Sequence, residues 1–168
     1  GYSGDTASML RERLPYTCTP YAPAAVFLQA GINDLQRGAS PEETARSVGE
    51  ALIAVRKLCP GAKLHLLALY PVNCSSEKFS LFRPKAFSKR EALTLISRTN
   101  TLLREEAAAR GAEFHDFGDV LRDGGGELRE EFSCDGLHLT VEGYHSLSEA
   151  LRPALAHYQQ RSDQEGSK

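Results

Sequence analysis

Hydrophobic residues along this chain form short continuous runs that are separated by longer amphipathic stretches. Residues 24–30 and 62–72 are apolar without alternation, which is typical of strands buried on both faces of a parallel sheet. Residues 112–120 predict a third strand. The stretches between them carry apolar positions at helical spacing. Because strands and helices alternate, the pattern predicts an α/β fold with a parallel sheet.

Four helices are predicted from their capping residues and apolar stripes. The first follows a cap at Asp5 or Thr6 and ends near residue 14, and the others cover residues 41–59, 89–110 and 141–159. Ser40 with Glu43, and Ser88 with Glu91, match the capping-box pattern. The first helix is expected to stop before Pro15, with Met9 on its apolar side. The last helix is expected to be capped by Thr140 and to begin at Val141, with Tyr144 on its apolar side.

The length fits one domain, predicted over residues 1–160, with a polar and disordered tail at residues 161–168. Residues 73–88 form a long irregular segment that contains three phenylalanines beside basic residues. Long segments of this kind often bind ligands. The segment is therefore either a substrate-facing loop or a surface excursion whose aromatic side chains pack against the core.

Composition narrows the possible partners. The formal net charge is -2 and no basic stripe is present, so nucleic acid is not an expected partner. The apolar runs are too short to span a bilayer. The four cysteines form no CxxC pair, which favours free thiols, leaves a disulfide open and gives no support for a metal site.

A candidate acid–base pair lies between the third strand and the last helix. Asp135 precedes His138 by three residues in a glycine-containing loop, where side chains are held but exposed. A histidine there can accept and return a proton near neutral pH. A carboxylate on its other ring nitrogen can orient it, as in a Ser-His-Asp triad. A purely structural pairing is the alternative.

Asn33 follows the first apolar run, in the sequence Gly31-Ile32-Asn33-Asp34. It could be a simple turn former, or its amide could donate a hydrogen bond to a developing oxyanion. Gly4, just before the first helix, offers a second donor through its backbone N–H. Ligand sites of parallel sheets lie at the carboxyl ends of the strands. We therefore expect both motifs at the same end of the sheet.

Together these residues resemble the SGNH (GDSL-type) esterase and lipase superfamily. Gly4 matches its second block, Asn33 its third, and the pair Asp135–His138 its fifth, with a spacing of 29 residues between Gly4 and Asn33. The resemblance implies a three-layer α/β/α fold with a flavodoxin-like parallel sheet. It also implies a carboxylic ester hydrolase, either an acyl or acetyl esterase or a lysophospholipase-like enzyme. That enzyme would act on small-molecule esters through a Ser-His-Asp triad and an Asn/Gly oxyanion hole, without metal or cofactor.

The chain departs from the family at the first block, which holds the nucleophilic serine and lies before the glycine block. The serine and the first two strands are therefore expected outside these residues. The strand at 24–30 would then lie at a sheet edge, completed by a missing N-terminal segment or a partner chain. Thr6, in Gly-Asp-Thr, and Ser3 are weaker candidates for the nucleophile.

Two other functions stay open at this stage. One is a non-catalytic SGNH-like binding or structural module that lacks the nucleophile. The other, a flavodoxin-like nucleotide binder, is less well supported because no glycine-rich phosphate loop follows any strand. If the chain is an esterase, short acyl esters of a sugar or small alcohol are preferred, because no broad apolar lid is apparent. The sequence leaves the cellular compartment open.

Overall fold

The computed structural model describes residues 2–76, 79 and 89–165. It contains a parallel sheet of three strands, β1 (Ala25–Leu28), β2 (Lys63–Leu67) and β3 (Glu113–His115), in the spatial order β1-β2-β3. Val26 pairs with Leu64, and Leu66 pairs with Phe114. Each crossover between consecutive strands contains at least one helix, as parallel neighbours require. The predicted α/β class with a parallel sheet is confirmed.

Six α-helices accompany the sheet: α1 (Ala7–Thr17), α2 (Ile32–Gln36), α3 (Pro41–Leu58), α4 (Lys89–Ala109), α5 (Gly118–Leu121) and α6 (Val141–Glu165). Short 3₁₀ turns lie at Thr19–Tyr21 and Glu130–Phe132. No described helix has both the length and the apolarity needed to cross a membrane.

The two faces of the sheet carry different helices. Leu64 and Leu66 of β2 join a hydrophobic core with α3 residues such as Leu52. Their neighbour His65 points to the opposite face, where it contacts Tyr158 of α6. Successive side chains of a strand point to opposite faces, so helices cover the sheet on both sides. This is the three-layer α/β/α arrangement that the family resemblance implied.

Strand β1 lies at an edge of the sheet as far as the chain is described, because only β2 pairs with it. Its first three residues are half-buried and Leu28 is buried. An apolar strand of this kind is unusual at an exposed edge, where unpaired N–H and C=O groups invite pairing with another strand. The edge position agrees with the sequence-based expectation for residues 24–30.

The capping box at the start of α3 is present in both directions. Ser40 Oγ accepts the N–H of Glu43 at 3.2 Å, and Glu43 Oε2 accepts the N–H of Ser40 at 2.8 Å. The Ser40 hydrogen bonds lower the pKa of the Glu43 carboxyl. The second predicted capping box includes Ser88, which lies outside the described residues.

The strand predicted over residues 112–120 is too long. Strand β3 ends at His115, and residues 118–121 form α5 instead. The physical reason is local, since Asp116 Oδ1 accepts the N–H of Gly118 at 2.8 Å and turns the chain out of the sheet. Aspartate side chains compete with sheet hydrogen bonds in this way, which apolar spacing alone does not register.

The ends of α1 and α6 also differ from the prediction. Helix α1 continues through Pro15 to Thr17, and its last turn closes with the N–H of Cys18 on Leu14 O at 2.8 Å. Helix α6 continues past Gln159 to Glu165, so residues 161–165 are helical; residues 166–168 lie outside the described part.

Two side chains assigned to apolar helix faces lie at the surface. Met9 is 39% exposed and Tyr144 is 59% exposed. Helical spacing predicts which residues share a face, but how far the sheet extends beneath that face is a tertiary property.

None of the four cysteines, all of which are described, forms a disulfide, which removes the disulfide alternative. Cys18, Cys59 and Cys74 are buried and Cys134 is exposed. Burial, together with the neighbouring Cys18, raises the pKa of the Cys59 thiol. Of the irregular segment 73–88, the structure describes residues 73–76 and 79, and the proposed substrate-facing part lies otherwise outside the described residues.

Candidate active site

The loop before α6 brings Asp135 and His138 into direct contact. His138 Nδ1 lies 2.6 Å from Asp135 Oδ2. A carboxylate can only accept, so the Nδ1–H donates and Nε2 is left as the basic nitrogen. The His138 side chain is 76% exposed, and no described residue hydrogen-bonds to its Nε2. The geometry is that of an oriented general base whose reactive nitrogen faces solvent.

Asp135 is held by the backbone of its own loop as well as by the histidine. Its Oδ1 accepts the N–H of Leu137 at 2.9 Å and the N–H of His138 at 2.8 Å. Burial alone would raise the pKa of Asp135, but the His138 side chain and these two N–H groups outweigh it and lower the pKa to about 2. Asp135 is therefore ionised throughout the range in which a histidine base operates.

Asn73, just beyond β2, fastens this loop to the sheet. The N–H of Asn73 donates to Gly136 O at 2.8 Å, and Asn73 Nδ2 donates to Leu128 O at 3.0 Å. Gly136 has φ +80°, and a Cβ added there would lie 2.4 Å from Asn73 O. Only glycine allows this approach. The Asp135–His138 loop is thus positioned by the segment that follows β2, at the C-terminal end of the sheet.

Asn33 lies in the first turn of the short helix α2, directly after β1, rather than in the open turn that the sequence suggested. Its Nδ2 donates to Asp5 O at 2.8 Å, which leaves the second amide N–H for another acceptor. Gly31 begins this helix with φ +122°, and a Cβ there would lie 2.8 Å from Thr44 Cγ2 of α3. The glycine therefore lets α2 turn away from β1 against α3.

Two further contacts join the Asn33 segment to the Gly4 segment. Asp34 Oδ2 accepts the N–H of Ala7 at 3.0 Å, at the N-terminus of α1. Arg37 donates to Gly4 O at 2.9 Å. Burial raises the pKa of Asp34, while the Ala7 N–H opposes the shift. Sequence reasoning assigned no role to Asp34 or Arg37. The only available signal was that Asp34 belongs to the Gly-x-Asn-Asp pattern.

The backbone N–H of Gly4 is available as a donor. Gly4 is exposed, and none of the described residues accepts a hydrogen bond from its N–H. The contacts at Asp5 and Arg37 place Gly4 beside the Asn33 segment. The two predicted oxyanion donors therefore belong to one connected unit of the structure.

The structure thus holds two pairs of candidate residues: Gly4 and Asn33, linked through Asp5 and Arg37, and Asp135 and His138, which are in direct contact. No hydrogen bond joins one pair to the other among the described residues. Asn33 follows β1, and the Asp135 loop is attached just beyond β2. Because the strands are parallel neighbours, both pairs lie at the C-terminal end of the sheet. This common location agrees with the expectation from the sequence.

Tyr70 follows β2 by three residues and so lies at the same end of the sheet. Burial raises the pKa of Tyr70 to about 12, against a hydrogen bond with Gln29 that lowers it, and Tyr144 of α6 lies close by. Gln29 in turn donates from Nε2 to Ala68 O at 2.8 Å. These contacts connect the end of β1 with the first turn of α6. Sequence reasoning did not single out Tyr70 or Gln29.

A model of the GDSL-like lipase/acylhydrolase family matches residues 1–145. The chain belongs to this family. The resemblance predicted from Gly4, Asn33 and the pair Asp135–His138 is therefore confirmed at the level of the family, which is one of lipases and acylhydrolases.

Three solved structures show the likeness of this GDSL-type chain in three dimensions. A protein from Streptococcus pneumonia, proposed to be a platelet activating factor, is 29% identical to this chain and superimposes with a TM-score of 0.78. The match covers 90% of this chain and 69% of the Streptococcus chain. A GDSL-like lipase from Bacteroides thetaiotaomicron VPI-5482 is 20% identical, with a TM-score of 0.75 and coverages of 93% and 73%. A carbohydrate acetylesterase from Sinorhizobium meliloti is 19% identical, with a TM-score of 0.72 and coverages of 94% and 76%. No curated protein sequence matches the chain.

Proposed function

We propose that this chain supplies the base, its orienting carboxylate and two oxyanion donors of a serine carboxylic ester hydrolase. The observation that carries the proposal is the 2.6 Å contact between His138 Nδ1 and Asp135 Oδ2, which leaves an exposed Nε2 as the basic nitrogen. An imidazole so oriented can remove a proton from a serine hydroxyl. The substrate is a small-molecule ester.

In the proposed reaction a serine Oγ attacks the acyl carbon while His138 Nε2 takes its proton. Asp135 stabilises the imidazolium that forms. The Gly4 N–H and the free amide N–H of Asn33 donate to the oxyanion. His138 then gives the proton to the leaving alcohol, and the acyl group stays on the serine. Water, deprotonated by His138, hydrolyses that ester and restores the serine.

We propose that this serine lies outside residues 1–168. Thr6 is a poor substitute, because its Oγ1 accepts the N–H of Met9 at 3.3 Å and caps α1. Ser3 belongs to the exposed segment that carries Gly4, and no described contact joins it to His138. The open edge of β1 is compatible with a further strand, from another segment or a partner chain, that would bring the serine to this end of the sheet.

Labelling with a fluorophosphonate, which reacts with activated serines, tests the location of the nucleophile. The full protein should be labelled at one serine outside these residues, as mapped by peptide mass spectrometry. The His138→Ala variant should not be labelled, because the serine would no longer be activated. Labelling at Ser3 would overturn the assignment of the nucleophile. A folded protein that shows neither labelling nor ester hydrolysis would instead support the non-catalytic module.

The Asn33→Ala variant is expected to lower kcat for nitrophenyl acetate by roughly 10²–10³-fold, with a smaller effect on KM, because one donor to the oxyanion is lost. Gln36→Ala, which removes an exposed amide from the same helix, is the matched control. The variant also loses the hydrogen bond to Asp5 O, so thermal unfolding should be measured in parallel. Unchanged kcat in a stably folded Asn33→Ala protein would remove Asn33 from the oxyanion hole.

A further inference from the structure

A cluster of two histidines and one glutamate lies on the face of the sheet that α6 covers. His65 of β2 pairs across the strands with Glu113 of β3, and His115 lies two residues after Glu113 on the same face. One donor atom from each lies within 4.8 Å of the others. None of these residues takes part in the proposed ester hydrolysis, so the cluster needs an explanation of its own.

The distances within the cluster differ by less than about 0.5 Å from those around a small tetrahedral metal ion. His65 Nδ1 lies 2.9 Å from His115 Nε2 and 3.5 Å from Glu113 Oε2, and His115 Nε2 lies 4.0 Å from Glu113 Oε1. Ligand atoms bound at about 2.0–2.2 Å to tetrahedral Zn²⁺ lie about 3.3–3.6 Å apart. Movements of a few tenths of an ångström in these side chains would bring all three donors to one ion.

The contacts of the His65 ring hold it in an orientation that suits a metal ligand. Its Nε2 lies 2.6 Å from the Tyr158 hydroxyl, and its ring stacks on Phe27 with the centroids 4.2 Å apart. If Nδ1 binds a metal, Nε2–H donates to Tyr158, which is the outer hydrogen bond that metal-bound histidines usually make.

The cluster is closed on one side and open on the other. The His65 side chain is 3% exposed and that of His115 is 14% exposed, whereas that of Glu113 is 64% exposed. An ion could enter from the glutamate side, and water could complete a fourth position. Two imidazoles and one carboxylate favour Zn²⁺ over Mg²⁺ or Ca²⁺, which prefer oxygen ligands alone.

We propose that His65, Glu113 and His115 form a Zn²⁺ site that fastens β2, β3 and α6 together. The site is separate from the proposed active site. Tyr158 follows Val141, the first residue of α6 after the His138 loop, by about 25 Å along the helix at 1.5 Å per residue. The ion therefore has a structural role and takes no part in the ester chemistry.

Zn²⁺ titration by isothermal calorimetry tests this proposal, using the full protein freed of metal by EDTA dialysis and carrying no histidine tag. One Zn²⁺ per chain should bind and raise Tm. Glu113→Ala and His115→Ala should each weaken binding by more than the roughly 10–100-fold that loss of an outer-shell partner costs. Tyr158→Phe should weaken Zn²⁺ binding by an amount within that roughly 10–100-fold range. Co²⁺ bound at the site should give the intense visible absorption of tetrahedral coordination.

Matched controls keep the test specific. Glu105→Ala and His145→Ala remove an exposed glutamate and an exposed histidine elsewhere, and both should bind Zn²⁺ as the unmodified protein does. His65 is left in place because its burial makes substitution a threat to folding. The proposal is overturned if no saturable binding occurs. It is equally overturned if binding persists in folded Glu113→Ala and His115→Ala proteins, or is lost with His138→Ala instead. The cluster would then be a hydrogen-bonded packing group only.

Discussion

Replacing His138 with alanine in the full protein is expected to lower kcat/KM for nitrophenyl acetate by at least about 10⁴-fold. The physical reason is that Nε2 is the only group proposed to move the proton of the attacking serine in both halves of the reaction. The side chain is 76% exposed, so its removal should leave the fold intact. Initial rates, with Tm measured on the same samples, provide the readout.

His145→Ala is the matched control for that experiment, because His145 is an exposed histidine on α6 with no assigned role. It should retain full activity. If a folded His138→Ala protein keeps most of its activity, the proposed role of the histidine is wrong. If both proteins lose activity equally, the loss reflects α6 and carries no information about the base.

Replacing Asp135 with asparagine is expected to lower kcat by about 10⁴-fold while KM changes little. The amide can present an N–H to His138 Nδ1, which favours the tautomer with the proton on Nε2 and so removes the base. It also cannot stabilise the imidazolium. Steady-state kinetics of Asp135→Asn and Asp135→Glu would separate the effects, because glutamate keeps the charge and changes the distance. Wild-type kcat in Asp135→Asn would contradict the orienting role.

The same variant should change the acid stability of the protein. The pKa of Asp135 is lowered from an ordinary value of 3.8 to about 2 in the folded state. A lowered folded-state pKa stabilises the protein above the unfolded pKa, and that contribution is lost as the pH falls from about 3.8 through 2. Urea unfolding across this range should therefore show a shallower pH dependence for Asp135→Asn. The effect should be small, because the carboxylate is 42% exposed and screened by solvent.

The sequence was sufficient for much of the fold because the deciding signals were local. The apolar runs at 24–30 and 62–72 each contain a strand, and the Ser40–Glu43 pattern begins α3 as predicted. Helix capping and the choice between strand and helix depend on residues a few positions apart. Where the prediction was wrong, at the end of β3, a single aspartate hydrogen bond to Gly118 outweighed an apolar pattern.

In the candidate site, too, the sequence predicted the local contacts but not the long-range ones. Asp135 and His138 are three residues apart, so their contact could be anticipated from the sequence. The attachment of their loop to Asn73 could not, because it joins residues more than 60 positions apart in the chain. The hydrogen bonds of Asn33 to Asp5 and of Arg37 to Gly4, which join residues 28 and 33 positions apart, could not be anticipated either. No periodicity reports contacts of that range.

By itself the sequence determined the α/β class, the family resemblance and the four residues proposed for the active site, since each is read from short motifs and from their order along the chain. Only the tertiary structure decided that Asp34 joins α1 to α2, because the contact brings together residues 27 positions apart. It alone brought His65 and His115 together from separate strands. The register between β2 and β3 created that cluster, and register is set by packing over the whole sheet.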